Sequence, residues 1–395
     1  MKDILIVSHG MEIGGAESAL LGLLSAIDYN EFNVDLFLYQ VHGELLRYIP
    51  KQVNLLPENP KYACVAAPLS TVVQNRAFGV ALGRVLGKIA TKKEIKKFQP
   101  IEDSYYSINN SHKYTKAFLP DISGKEYDLA VSFLTPHYYV LDKCRAKKKI
   151  AWIHTDYSAI EMNEESELPS WSEYDRIVSI SDKVTEAFLK RFPTLELKII
   201  RIDNMHPAEF IRKRADEFTV KDEMPDDGYV KLLSVGRYCY AKNFDNIPDI
   251  CRRLPNVKWY IIGYGTDGDI IKEKIAKAGM EERVMLLGKK ENPYPYFKEC
   301  DFYVQPSRYE GNAVTVNEAL ILGKKTVIAD YSTAHSQITD GVNGVIVPQD
   351  NEGCAKGIAA FIENTELQNR ILSCVLNSDY SKSDEIKKIY DIMGD

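Results

Sequence analysis

The chain has 395 residues, 45% of them hydrophobic and 27% charged, with a formal net charge of −6. That length exceeds a single ordinary core and predicts two domains, and the acidic balance gives no case for nucleic-acid binding. Seven cysteines, widely spaced and without a Cys-x-x-Cys pair, point to reduced thiols in a cytosolic protein rather than to a disulfide frame or a zinc site.

The first apolar run, Ile4 to Val7, is too short for a signal peptide, and no run is long enough to cross a membrane. Asp3 to Ser8 reads as a buried strand, and Gly14-Gly15-Ala16-Glu17 opens a helix whose Leu20, Leu21, Leu24 and Ile27 recur at helical spacing. Strand, glycine turn and helix begin a Rossmann-like half, and Gly14 and Gly15 would let backbone approach a phosphate closely. Val34 to Tyr39, Val53 to Leu56 and Tyr127 to Leu134 are the next predicted strands. Between the last two, Arg76, Arg84, Lys88, Lys92, Lys93, Lys96 and Lys97 stand against Glu94 alone. With Phe78, Val80, Leu82, Val85, Leu86, Ile89, Ile95 and Phe98 interleaved, residues 76–97 are a candidate amphipathic helix for an anionic membrane surface. The bland alternative is a helix packed on its own domain with a solvated basic face. Lys148 to His154 is a strand that puts His154 at its carboxyl end, where open α/β sheets bind ligands. Tyr174 to Ser181 and Leu197 to Ile202 complete this half, with Asp182 as the expected N-cap of a helix to Arg191.

Residues 206–228 are charged and broken by proline and glycine, which predicts a linker. A new alternation starts at Val230 to Val235 and ends in Gly236-Arg237, with Lys242 five residues on. Arg237 and Lys242 there are fixed cations, which can neutralise charge on a bound anion. Trp259 to Gly263 and Val284 to Leu287 are further strands, the second ending at Gly288. Asp267 and Asp269 form an Asp-x-Asp, read here as caps of a helix from Ile270 rather than as a metal motif. Phe302 to Val304 then runs into a polar turn with Glu310 and Gly311, a helix carrying Glu318, a stop at Gly323 and a strand from Thr326 to Ala329. The turn and helix start, Gly311, Asn312, Ala313, Val314 and Thr315, form an anion site in such a unit. An eight-residue helical rise would set the two carboxylates about 12 Å apart. The strand Gly344 to Pro348, a helix from Glu352 to Ile362 and a helical Asp384 to Met393 close the chain.

Glu310, seven residues, then Glu318 and Ala319 resembles the Glu-x7-Glu signature of retaining glycosyltransferases of the GT-B fold, especially family 4. Gly-Arg-x4-Lys at Gly236 to Lys242 resembles that family's diphosphate-binding pair, and the segments around Gly14, His154 and Gly288 resemble its donor-facing glycine turn, its sugar-contacting histidine and its base-reading turn. One departure stands out: Glu310-Gly311-Asn312-Ala313 occurs where members commonly have Glu-Gly-Phe-Gly.

The resemblance implies an α/β fold of two Rossmann-like domains facing a central cleft. It places an acceptor domain at 1–205, a linker at 206–228, a nucleotide-sugar domain at 229–380 and a last helix, 381–395, crossing back. It implies retaining hexose transfer from a UDP- or GDP-sugar to a glycan or lipid-linked acceptor, in cell-surface polysaccharide or glycolipid synthesis. No metal or other cofactor would be required, and the place would be the cytoplasm or the inner face of the cell membrane. Arg237, Lys242, Glu310 and His154 would be catalytic, with Glu318 on the ribose. A GT-B partner subunit without catalysis and a sugar-nucleotide epimerase are the alternatives.

Overall fold

A computed structural model describes residues 1–100, 104–155 and 157–394. The chain divides into two compact units, Met1–Met205 with Ser383–Asp395, and His206–Lys382.

The first unit holds a seven-stranded sheet: β1 (Lys2–Ser8), β2 (Phe32–Leu38), β3 (Asn54–Leu55), β4 (Glu126–Ser132), β5 (Arg145–Ile153), β6 (Arg176–Ser179) and β7 (Ile199–Arg201). Their order is β3-β2-β1-β4-β5-β6-β7, and every pairing is parallel. Helices cover both faces of such a sheet, so its strands are near-continuous apolar runs: Ile4, Leu5, Ile6 and Val7 are all buried. Helix Gly15–Ala26 follows β1 and buries Leu20, Leu21 and Leu24. Helix Ile386–Ile392 also belongs to this unit: it buries Ile386, Ile389 and Ile392, and Tyr390 stacks on Phe32 at 4.3 Å. Ser181, not Asp182, caps helix Asp182–Arg191, because its hydroxyl reaches Val184 N while Asp182 lies in the first turn.

The second unit has six strands: β8 (Val230–Val235), β9 (Val257–Ile262), β10 (Val284–Gly288), β11 (Phe302–Gln305), β12 (Lys325–Ala329) and β13 (Val345–Val347). The order β10-β9-β8-β11-β12-β13 is again all parallel. Two buried polar groups tie its centre: Trp259 Nε1 donates to Ser234 Oγ at 2.9 Å, and that hydroxyl donates to Val304 O at 2.6 Å. Both sheets reverse direction of growth once, between β1 and β4 and between β8 and β11, and ligands of open α/β sheets bind outside the strand ends at that point.

The linker expected at 206–228 is instead part of this unit. Helix Ala208–Ala215 forms there, and Ile211, Ala215, Val220 and Met224 are buried in its core. Four apolar residues spread among many charges suffice to dock the segment, a pattern that composition alone conceals. At the far end, Asp267 occupies the cap position of helix Gly268–Ala278 but makes no cap hydrogen bond; its carboxylate accepts from Thr266 Oγ1 at 3.0 Å.

Candidate active site

In the second unit the loops that follow β8 and β11 meet, as neighbouring strands at the switch point require. Lys242, from the β8 loop, places Nζ 2.6 Å from Glu310 Oε1 of the β11 loop, and both side chains are largely buried. The same oxygen accepts from Ser307 Oγ at 2.6 Å and from Gln305 Nε2 at 3.1 Å, so three donors converge on one carboxylate oxygen. Gln305 is fixed in turn: its Oε1 accepts from Tyr303 OH and its Nε2 donates to Ser307 Oγ at 2.8 Å. Thr315 Oγ1 lies 2.7 Å from Tyr303 OH and donates to it, which links the strand to the first turn of helix Val314–Ile321. Thr333 Oγ1 donates to Glu310 O at 2.9 Å, while Gln337 exchanges two hydrogen bonds with the Ala313 backbone, at 3.0 and 2.9 Å.

Glycine shapes the floor. Gly263, at φ +155°, lies so close to the β8 loop that a Cβ there would stand 1.8 Å from Gly236 O. The Lys242 stem crosses Gly236, whose added Cβ would meet Cε at 3.1 Å. Asn243 next to it takes φ +61° and donates from Nδ2 to Pro306 O at 2.9 Å, pinning one loop to the other. Arg237 is exposed and forms no ion pair with the described residues, in contrast to Arg308, which chelates Asp245 at 2.9 and 3.0 Å. An exposed guanidinium without an ion pair among the described residues, on the same strand-end loop as a paired lysine, suits a multiply charged anion. In the β11 loop Gly311 is exposed, and Asn312 Oδ1 is buried without a hydrogen-bond partner among the described residues. Gly288, at φ +70°, ends β10 and accepts from Gly263 N at 3.0 Å.

Glu318 sits deeper. It is 6% exposed and accepts from Tyr294 OH at 2.8 Å; burial raises its pKa to about 7, against the lowering effect of that hydrogen bond. The helix begins only at Val314, so Glu310–Ala313 is a turn and the straight eight-residue rise expected between the two glutamates does not apply. Gly323, at φ +67°, ends the helix in the left-handed conformation that glycine tolerates, with Lys324 N bonded back to Ala319 O at 2.9 Å.

In the first unit, His154 follows β5. Its ring lies 4.5 Å from that of Phe133, its Nε2 has no hydrogen-bond partner among the described residues, and burial lowers its pKa to about 3. It has companions at neighbouring strand ends: the buried His137, whose Nδ1 lies 2.8 Å from Ser132 Oγ, and the half-buried His9, stacked at 4.9 Å on Tyr39. Gly14 precedes helix Gly15–Ala26, and Glu17 folds back over it, its Oε2 2.2 Å from where a Gly14 Cβ would be.

The second unit thus joins Lys242 to Glu310, with Thr315 linked through Tyr303 and Gln305, and places Arg237 on the Lys242 loop. Sequence reasoning missed Gln305, Ser307, Tyr303, Tyr294, Thr333 and Gln337. A glutamine ending an apolar strand and a serine three residues before Glu310 were signals for the first two. Thr333 and Gln337 lie more than twenty residues from what they brace and carry no such mark.

Residues 216–373 match the family model of glycosyl transferases group 1. Among curated proteins, the chain is 30% identical over 160 residues to a Campylobacter jejuni N-acetylgalactosamine-N,N'-diacetylbacillosaminyl-diphospho-undecaprenol 4-alpha-N-acetylgalactosaminyltransferase, covering 40% of this chain and 42% of that one. It is 33% identical over 133 residues to the Bacillus subtilis poly(glycerol-phosphate) alpha-glucosyltransferase, covering 32% of this chain and 20% of that one. The matched stretches therefore span less than half the length of these relatives. Solved structures match end to end. Anabaena HepE in complex with UDP superposes with a TM-score of 0.66 at 17% identity, covering 99% of this chain and 100% of that one. A variant of Staphylococcus aureus TarM in complex with Fondaparinux, alpha-GlcNAc-glycerol and UDP gives 0.68 at 13% identity, with both chains fully covered. The fold is GT-B, and the resemblance read from the motifs holds for that fold and for the matched stretch of the second unit.

Proposed function

We propose that this chain of GT-B fold, with a glycosyl transferases group 1 segment at 216–373, is a retaining glycosyltransferase. It moves a hexose from a UDP- or GDP-sugar to a hydroxyl of a glycan or lipid-linked acceptor, in the building of a cell-surface polysaccharide or glycolipid. The observation that carries the reading is the contact of Lys242 with Glu310 at the β8/β11 switch point, on the loop that also carries the exposed Arg237. Breaking a sugar–phosphate bond moves charge onto the leaving diphosphate, and cations fixed before the reaction stabilise that charge without reorganising. Arg237 grips phosphate oxygens bidentately and Lys242 acts as a point charge. Lys242 is held in place by Glu310 until the donor arrives, and Glu310 then orients the donor sugar.

Retention without a protein nucleophile calls for front-side attack, in which the leaving phosphate takes the acceptor proton. In this reading Glu318 meets the ribose, the Gly311–Thr315 turn and Gly14-Gly15 meet the phosphates, Gly288 meets the base, and His154 contacts the sugar as a neutral imidazole. The catalysed chemistry uses these side chains and needs no metal. A structural neighbour supports the donor class, since Anabaena HepE was solved with UDP-glucose, and the names of the curated relatives support the acceptor class. A thermal-shift panel of nucleotides and nucleotide sugars tests the reading. The right ligand at 100 times its dissociation constant adds about 2.7 kcal/mol of stability, and a flat response across UDP, GDP and their sugars would reject it.

A further inference from the structure

Helix Phe78–Phe98, 21 residues and therefore about 31 Å long, turns its small residues inward and its large ones outward. Its buried face is Val80, Gly83, Gly87 and Thr91. An added Cβ at Gly83 would stand 2.7 Å from Thr115 Cα, and one at Gly87 would stand 2.8 Å from Asn110 O. The glycines are thus spent on close packing against helix Ser104–Thr115. The bland alternative, in which the apolar residues face the domain's own core, fails for most of them: Phe78, Leu82, Val85 and Ile89 are 64%, 51%, 52% and 47% exposed, and Leu86 is exposed as well. At about 100° per residue these five fall within a sector roughly 100° wide.

The same sector, continued to the helix's C-terminal end, holds Lys93 and Lys96, with Lys92 and Lys97 about 20° beyond its two edges and Lys88 about 60° beyond, all of them exposed. Among the described residues no acid pairs with these lysines. Glu94, the helix's one acid, points inward, where Asn110 Nδ2 and Asn163 Nδ2 donate to its two oxygens at 2.5 and 2.6 Å. Arg84, counted with the basic cluster on sequence grounds, is not part of the surface either: its guanidinium donates to Cys64 O and Ala67 O, at 3.2 and 2.5 Å, and fastens the preceding loop. What remains is an apolar stripe running into a lysine cluster on a chain that is net negative. No helix among the described residues is long and apolar enough to cross a membrane.

We infer that this face of helix Phe78–Phe98 lies in the interface of an anionic bilayer, Phe78, Leu82, Val85, Leu86 and Ile89 entering the acyl boundary and Lys92, Lys93, Lys96 and Lys97 pairing with headgroups. Charge complementarity selects the occupant, since the lysines would repel a second copy of the same face. The inference is independent of which sugar is transferred. It also separates insertion from simple electrostatic attachment, because salt screens only the second: the Debye length falls to about 3 Å at 1 M, while burial of apolar surface persists.

The test is cosedimentation of the full chain with phosphatidylcholine vesicles, with and without phosphatidylglycerol. Binding is expected to the mixed vesicles only, weakened but retained at 1 M salt. Leu82→Ser with Ile89→Ser should lower partitioning at 1 M salt at least about tenfold. Lys92→Gln, Lys93→Gln and Lys96→Gln together should lower it about tenfold or more at low salt. All these positions are exposed, so circular dichroism should stay unchanged, and the two variant sets are independent arms. Absence of binding to mixed vesicles overturns the inference. So does binding that salt abolishes and the serine changes leave alone, or a dimer in solution that the serine changes dissociate.

Discussion

Replacing Glu318 with glutamine removes a charge that the fold accommodates poorly and keeps the hydrogen bond it makes. The carboxyl is buried beneath helix Val314–Ile321 with Tyr294 OH as its donor, and burial raises its pKa from the ordinary 4.5 to about 7. The native state therefore holds this proton more tightly than the unfolded chain does, so stability falls as pH rises between those two values. The contribution is complete below 4.5 and is lost as pH passes through about 7. At about 1.4 kcal/mol per pH unit, the loss by pH 8 is about 3 kcal/mol. Glutamine does not titrate, and its amide oxygen still accepts from Tyr294. Glu318→Gln should match wild type near pH 4.5 and exceed it at pH 8, by about 6 to 12 °C in the melting transition of a unit this size. Differential scanning calorimetry at both pH values reads the effect. A variant that melts at or below wild type at pH 8 would show that the carboxylate is not held at a cost, and would refute the reasoning.

Lys242→Ala should lower the rate of transfer on the order of a hundredfold with little change in melting temperature, because Glu310 keeps Ser307 and Gln305 as donors; steady-state kinetics beside a thermal melt would check both halves. Gly263→Ala should destabilise the second unit by about 3 kcal/mol or more, since its Cβ would stand 1.8 Å from Gly236 O at φ +155°, and a shifted urea midpoint is the readout. His9, His137 and His154 have pKa values lowered to about 4, 3 and 3 by burial, so their ring proton resonances should not move between pH 8 and 6; titration of any of them in that range would contradict a neutral role.

The strands were legible because parallel sheets covered on both faces leave unbroken apolar runs, and all thirteen fall where those runs lie. That Glu310, Lys242 and Arg237 stand at strand ends was legible too, and the resemblance in their spacing singled them out. What brings them together was not, since the Lys242–Glu310 contact spans two strands adjacent in the sheet but distant in sequence. The hydroxyl and amide network behind Glu310 was hidden for the same reason. In helix Phe78–Phe98 the apolar residues were found and their direction was not: Gly79, Gly83 and Gly87 recur every fourth residue, and that small stripe, rather than the large residues, marks the packed face. The segment after Met205 was misjudged because charge outnumbers the four side chains that anchor it.

Proton NMR of the chain incubated with UDP- and GDP-hexoses tests the central claim most directly, and water serves as acceptor where no sugar acceptor is supplied. A retaining transferase releases the nucleoside diphosphate and, before mutarotation, the anomer of the donor; an α-linked donor should give α-sugar first. The account predicts this for at least one donor and its loss in a variant with Arg237→Ala and Lys242→Ala. Release of the β-anomer, epimerisation of the intact nucleotide sugar, or turnover undiminished in that variant would contradict it.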